Sequence, residues 1–372
     1  MTNARRRETD RASAAFHVAL SQIGAATVTD ALSLWHDVPA TERATTASGW
    51  LRRAISLVMG RRRQSRDLAR AYYRLARALQ TGSTVADPYH PEPAYVSLAD
   101  LRREFAELAG AYEPPSSADA DGETATGESG KASPAVEKSP GPVKEDAQAA
   151  PASDEEEDED EDWDRILVEE LEGLREEEER IEREAEDELR TVLDALGSQN
   201  LNRRLDEISD DQAAKAADKA REEAHRQTGA QQAAAASRVA MNGVRSTAWN
   251  HMRRDRRALG YVRLSRTGAP CGWCAMLISR GPVYKSRNSA TFVDGDRYHD
   301  NCHCFAAPIF SLQQYQGSEL TALSREYEAL WPEVTNGLSG KSAVSAWRRF
   351  IRQKQRAAAQ EARPSANTAQ EA

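Results

Sequence analysis

All four cysteines of the chain lie in one short stretch, together with two of its seven histidines. Cys271 and Cys274 form the CxxC pair of CGWC. The second group lies in the segment YHDNCHC and consists of His299, Cys302, His303 and Cys304. Two close groups of soft ligands separated by a loop of about two dozen residues are typical of a tetrahedral zinc site. The stretch therefore predicts a structural zinc site that clips a small domain together.

More candidate ligands are present than a four-coordinate site needs. The predicted metal ligands are Cys271, Cys274, His299, Cys302 and Cys304. Side chains alternate along an extended segment, so Cys302 and Cys304 lie on one side and His303 on the other. The favoured set is the CxxC pair, His299 and either Cys302 or Cys304. His303 is the least favoured ligand, and no catalytic residue stands out.

Other chemistry remains open for the same residues. The cysteines would form disulfides in an oxidising environment. A cysteine beside His299 or His303 could act as a nucleophile. A catalytic zinc would need a general base, for which Asp294, Glu319 and Glu326 are close in sequence. A redox CxxC is disfavoured because no thioredoxin-like pattern surrounds it.

The composition favours long, solvated helices over a single large core. Of 372 residues, 40% are hydrophobic, 6% aromatic and 29% charged, with a formal net charge of -9. No apolar run approaches the roughly 20 residues that span a bilayer, and the first residues lack the apolar core of a signal peptide. The sequence therefore predicts no membrane contact and a reducing cytoplasm, where clustered cysteines favour metal.

The fold class expected is mainly α, with a small α+β zinc-clipped C-terminal domain and a long disordered acidic linker. Six successive parts are predicted: an N-terminal helical region at 1–113, the linker at 114–162, long helices with a coiled coil at 163–238, the Cys/His domain at 239–310, C-terminal helices at 311–356 and a disordered tail at 357–372.

Finer patterns predict individual elements. Helical spacing from Trp163 predicts a long helix that ends near Gly197, and two further helices are expected from about 210 to 243 and from there to Gly260. Strand-like pieces follow in YVRLSR, CAMLIS and CFAAPIF. The basic segment SAVSAWRRFIRQKQR predicts an amphipathic helix that either docks on a partner or, as the favoured arrangement, covers the zinc domain.

Two helical stretches are strongly basic. Between Trp50 and Leu79, arginines are expected on the face opposite an apolar stripe, as a solvated face or as a surface for nucleic acid or an acidic partner. A second basic group precedes the cysteines and is a candidate contact for a partner or for DNA: Arg253, Arg254, Arg256 and Arg257.

The arrangement GAPCGWCAMLISRGPVYKS followed by YHDNCHCFAAPIF resembles the C-terminal domain of phage Mu F-like minor head proteins of tailed phages, over residues 239–310. The stretch RDLARAYYRLARALQTGSTVADP is similar to the N-terminal helical region of actinobacterial-phage members, some of which are described as capsid maturation proteases.

The resemblance implies a minor capsid protein that acts at the portal during head assembly. It implies a location in the virion head after synthesis in the host cytoplasm, and the portal, scaffold and major capsid proteins as partners. Cys271, Cys274, His299, Cys302 and Cys304 match the motif of the family. The alternative is a capsid maturation protease that uses a Cys-His pair, because no GxSxG or HExxH motif is present.

Overall fold

The computed structural model describes residues 3–38, 43–110, 165–208, 214–265, 269–282 and 304–361. The expected mainly helical fold with a small strand-containing region is confirmed. The predicted linker at 114–162 lies outside the described residues. The last helix continues to Glu361, and the rest of the predicted tail also lies outside the described part of the chain.

The described helices are α1 (Asn3–His36), α2 (Arg43–Thr81), α3 (Leu98–Ala109), α4 (Leu174–Asp194), α5 (Asn200–Asp206), α6 (Ala214–Arg254), α7 (Gly272–Ile278), α8 (Leu312–Gly317), α9 (Ala322–Val334) and α10 (Gly340–Glu361). The described strands are β1 (Ser83–Val85), β2 (Tyr95–Ser97), β3 (Arg165–Glu169), β4 (Gly260–Ser265) and β5 (Cys304–Ile309).

The long helices α1, α2 and α6 form the centre of the fold. α1 and α2 run antiparallel, since Ser13 hydrogen-bonds Tyr72 near one end and Trp35 packs edge-on against Trp50 at the other. α6 lies against both helices. Trp35 donates to the carbonyl of His225, and Ser65 donates to the carbonyl of Ala240.

Small residues let α6 approach its neighbours closely. A Cβ added at Gly229 would lie 2.5 Å from the Trp35 ring, and one added at Gly243 would lie 2.4 Å from Oγ of Ser65 and 2.7 Å from the carbonyl oxygen of Arg62. Such distances leave no room for a methyl group. Gly229 and Gly243 are therefore required for the close packing of α6.

A three-stranded sheet has the order β1-β3-β2. β3 pairs parallel to β1, with Ser83 opposite Leu167, and antiparallel to β2, with Tyr95 opposite the same Leu167. β3 follows the segment 111–164, whereas β1 and β2 precede it. Elements from both sides of that segment therefore share one sheet, while the predicted domain boundaries stay predictions.

Three predicted elements were wrong in detail. The helix expected from Trp163 is preceded by strand β3, and the regular helix begins only at Leu174, after Gly173 with φ of 66°. The two helices expected between 210 and 260 form the single helix α6, which ends at Arg254. CAMLIS forms a helix instead of the expected strand, and its residues 274–278 are all buried. A short, uniformly apolar run suits a buried strand and a buried helix equally, so the sequence did not distinguish them.

Other predicted features are confirmed. Regular α-helix ends at Asp194, and Gly197 has non-helical angles within the π-helical turn Ala195–Gln199. A Cβ at Gly197 would lie 2.4 Å from the Trp50 ring. The absence of a side chain at Gly197 therefore lets the indole lie against the backbone. Strands β4 and β5 lie where the strand-like pieces YVRLSR and CFAAPIF predicted them.

We expect Gly243→Ala to lower the free energy of unfolding by about 1–3 kcal/mol, because the carbonyl of Arg62 is backbone and cannot move aside as a side chain would. Urea denaturation followed by circular dichroism measures this change. Gly60→Ala is the matched control, since no atom lies within 4 Å of its added Cβ. The control should be neutral or should stabilise by up to about 1 kcal/mol through helix propensity. Equal effects at the two glycines would contradict the close packing.

Candidate functional site

The cysteine stretch is built on β4, α7 and β5. β4 and β5 are antiparallel, with Gly260 opposite Ile309 and Ser265 opposite Cys304. Cys271 caps the N-terminus of α7, where its Sγ accepts the backbone N–H of Cys274 at 3.4 Å. The CxxC pair therefore occupies the first turn of a short helix.

The described cysteines differ in exposure. Cys271 is exposed, whereas Cys274 is 2% and Cys304 3% exposed. Cys274 and Cys304 belong to one buried apolar cluster that also contains Trp249 and Trp347. Arg245 donates to the carbonyl of Cys304 at 3.2 Å, which ties the start of β5 to α6.

The predicted ligands are only partly within the described chain. His299, Cys302 and the disfavoured His303 lie outside the described residues. Within the described ranges, no group of three or more His, Cys, Asp or Glu side chains is arranged to hold a metal ion. The zinc site stays a prediction, and the donor chemistry of thiols and imidazoles remains the reason for it.

α10 covers the CxxC helix, as its amphipathic pattern predicted. Trp347 and Ile351 are buried in the same cluster as Cys274. Gln355 donates to the carbonyl of Pro270 at 2.6 Å, and the Cα of Arg348 would lie 3.1 Å from a Cβ at Gly272. Gly272 is therefore the residue that lets α10 lie against this turn.

The three acidic candidates for a general base have other neighbours or lie outside the described residues. Glu326 forms an ion pair with Lys354 on α10. Glu319 begins the 3-10 turn Glu319–Thr321, where it lies near Asp10 of α1. Asp294 lies outside the described residues.

The four arginines after residue 252 differ in their surroundings. Arg254 donates to the carbonyl of Glu172 at 3.1 Å and to Asn250, and Arg257 pairs with Glu169 at 2.9 Å. Arg253 lies over the Trp249 ring, and Arg253 and Arg256 are exposed. The structure thus uses two of these guanidinium groups within the protein.

The basic face predicted for α2 as solvent-exposed is wrong for five of its arginines, which are buried: Arg62, Arg66, Arg70, Arg74 and Arg77. Each of them pairs with carboxylates of the same chain. On α4, Glu182 accepts from Arg62 at 2.9 Å, and Glu178 accepts from Arg66 at 3.0 Å. Because the pairs run in opposite order along the two helices, they hold α4 antiparallel to α2.

Further along α2, the buried ion pairs continue beyond α4. Arg74 donates to Glu104 of α3 at 2.6 Å and also pairs with Glu92. Arg77 donates to Glu169 of β3 at 2.8 Å. These pairs tie α3 and the three-stranded sheet to the same face of α2.

Asp255 links the cysteine stretch to the five buried arginines of α2. Its carboxylate accepts from Arg77 at 2.6 Å and from the Tyr73 hydroxyl at 2.9 Å, and it also accepts the backbone N–H of Arg257. Burial acts to raise the pKa of Asp255, but the hydrogen bonds from these donors outweigh it, so the pKa lies below its usual value. Asp255 is therefore held as a carboxylate between α2 and β4.

His251 lies beside this link and is also buried. Its Nδ1 donates to the carbonyl of Thr247 at 2.9 Å, and its ring packs 5.0 Å from that of Tyr73. Burial lowers the pKa of His251, despite the nearby carboxylate of Glu178. The imidazole is thus neutral near pH 7 and acts as a packed, polar core residue.

Sequence reasoning missed the buried ion pairs between α2 and α4, although the sequence contains a signal for them. Arg62, Arg66, Arg70 and Arg74 recur every four residues, and Glu178 and Glu182 show the same spacing on α4. Matching periods of opposite charge on two helices are compatible with an interface, but also with two solvated faces. Only the packing of the helices distinguishes these arrangements.

A family model described as VG15 protein matches residues 187–330, from the end of α4 through the cysteine stretch to α9. The match indicates similarity to a viral gene family and is consistent with a phage-encoded protein. No curated protein and no solved structure matches the chain. Within the described part of the chain, no helix has the length and apolar character needed to cross a membrane.

We expect Asp255→Asn to lower the free energy of unfolding by up to about 3–5 kcal/mol, because it removes the buried one of the two carboxylates that neutralise the Arg77 guanidinium and leaves only the more exposed Glu169. Chemical denaturation at pH 7 measures the loss. Glu207→Gln is the control, since it breaks an exposed pair with Arg203 and should cost less than about 1 kcal/mol.

The pH dependence gives a second readout of the same pair. Since folding lowers the pKa of Asp255, its contribution is present above the unfolded pKa of about 3.9 and is lost as the pH falls through the folded value. The difference between wild type and Asp255→Asn should shrink over that acidic range. A difference that is independent of pH would contradict the ionic link.

Proposed function

We propose that this chain is a minor head protein of a tailed phage that acts at the portal during head assembly, and that its Cys/His segment is a zinc-clipped structural unit. The portal, scaffold and major capsid proteins would be its partners. The VG15 match over residues 187–330 supports a phage protein, and it spans every predicted metal ligand. The resemblance of the cysteine motif to Mu F-like proteins supplies the head-assembly role.

Burial of Cys274 and Cys304 is the observation that supports a structural role over catalysis. Cys274 and Cys304 are nearly inaccessible in an apolar cluster, and α10 covers the helix that carries Cys274. A cysteine that attacks a peptide must reach solvent and stand beside a base. Side chains placed in a core suit a closed metal site, in which all ligands come from the protein.

The described cysteines suit zinc chemically. Cys271 is exposed at the first turn of α7, where its Sγ lies close to the backbone N–H of Cys274, so its sulfur can reach a metal ion. Cys271 and Cys274 would supply one pair of ligands, and His299 with Cys302 or Cys304 would supply the other. A bound zinc ion would then hold the segment between α7 and β5 against the CxxC turn.

Purified full-length protein is expected to hold about one zinc ion per chain, and Cys271→Ser should remove most of it and lower the melting temperature. Cys271 is the informative position because its side chain is exposed, so the substitution leaves no cavity in the core. Elemental analysis and thermal melting, each with and without a chelator, measure the effect.

The chelator separates metal loss from direct destabilisation. Chelation should lower the melting temperature of the wild type to that of Cys271→Ser and should leave the variant unchanged. His90→Gln is the control, since His90 is exposed on a loop outside the cysteine stretch. A wild-type protein that contains no zinc and melts identically with and without chelator would overturn the metal site.

In a phage that encodes this chain, deletion of its gene should yield defective heads, and the full-length chain supplied in trans should restore them. Electron microscopy of the heads and mass spectrometry of purified particles, with a few copies of the chain per head, measure the result. Glu207→Gln should support assembly, whereas Cys271→Ser should not. Normal heads after deletion would overturn the role, and head-protein cleavage that requires Cys304 and His303 would replace it with the protease.

A further inference from the structure

Exposed basic residues accumulate on α10. Five cationic side chains lie on one solvent-facing side of the helix: Lys341, Arg348, Arg349, Arg352 and Arg356. Lys354 lies on the other side, where it pairs with Glu326 of α9. Residues 340–360 contain no aspartate or glutamate. We call the five residues the α10 basic face.

The four arginines of this face lack the carboxylate partners that exposed arginines of α4 have. On α4, Arg175, Arg180 and Arg190 pair with glutamates of their own helix. Among the described residues, no carboxylate lies within ion-pair distance of the four arginines of α10. Within the described part of the chain, their positive charge is therefore not neutralised.

The helix holds these guanidinium groups in a row. Arg348, Arg352 and Arg356 are spaced by four residues, or about 6 Å along the axis, on one side of α10. Arg348 also lies over the Trp273 ring, with its guanidinium carbon 5.6 Å from the ring centroid. α10 itself is anchored by buried Trp347 and Ile351. The backbone that carries the row is thus fixed beside the CxxC turn.

We propose that the α10 basic face binds the phosphate backbone of duplex DNA. A guanidinium group matches a phosphate in bidentate geometry, and a regular row of them suits a regular row of anions. This inference does not depend on the head-assembly role. It places DNA binding on α10, whereas Arg254 and Arg257, in the basic group before the cysteines, are already engaged within the protein.

Two other anionic partners fit the face less well. An amphipathic helix that binds a lipid surface gains much of its affinity by inserting its apolar face, but Trp347 and Ile351 of α10 are already buried in the core. A specific acidic protein partner would need a central apolar anchor, and the large exposed apolar residues of the described chain do not include one from α10. A charge-only surface therefore favours nucleic acid.

The test titrates the full-length protein into a fluorescent 30-base-pair duplex and measures anisotropy between 50 and 200 mM salt. If four phosphates are neutralised, the affinity should fall roughly 100-fold over this range. The triple variant Arg349→Gln, Arg352→Gln and Arg356→Gln should weaken binding at least tenfold at 100 mM salt. Its salt dependence should be shallower by about 0.9 in log-log slope for each phosphate that the variant no longer neutralises.

The matched control removes the same charge from α4 through Arg175→Gln, Arg180→Gln and Arg190→Gln, all of them exposed. This triple should change DNA affinity by less than about twofold. Circular dichroism checks that both variants stay folded.

Three outcomes would overturn the proposal. The first is that the wild type fails to bind DNA at 50 mM salt, and the second is that both triple variants weaken binding equally. The third is that phosphatidylserine vesicles or a poly-glutamate peptide bind the protein more tightly than the duplex does, since either would assign the face to a lipid or to an acidic protein.

Discussion

The neutralisation of buried arginines on α2 is the constraint on which the arrangement of the other elements depends. A guanidinium group can be buried only where carboxylates and carbonyls satisfy it. A carboxylate that pairs with an arginine of α2 comes from each of four places: α4, α3, β3 and the residue that follows α6. These pairs specify where each element lies, because a shift by one turn would leave a charge unpaired in the interior.

The cysteine stretch is connected to the buried ion pairs of α2. Asp255 stands just before β4 and is bound by Arg77 and Tyr73 of α2, while the Tyr73 ring packs 5.8 Å from Phe310, just after β5. The stretch is thus connected to the helical core through both of its strands. The ion pairs beneath the stretch therefore set its orientation relative to the helices.

Charge is distributed in two distinct ways along the chain. Inside, the arginines of α2 are matched by carboxylates contributed by other elements, which makes them structural. Outside, α10 presents arginines without acidic neighbours among the described residues. The same residue type therefore stabilises the fold in one helix and lies at the described surface in another. The difference follows from which elements pack around each helix.

Sequence alone determined that the protein is mainly helical, that strands β4 and β5 lie on either side of the CxxC turn and that α10 is amphipathic, because these features depend on local spacing. The end of the regular helix near Gly197 also followed from a local signal. The helical state of CAMLIS, the continuity of α6 and strand β3 did not, since short apolar or alanine-rich runs suit more than one structure. Only the tertiary structure decided that the arginines of α2 are buried and those of α10 exposed, because a periodic row of charges looks the same in sequence whether carboxylates or water lie opposite it.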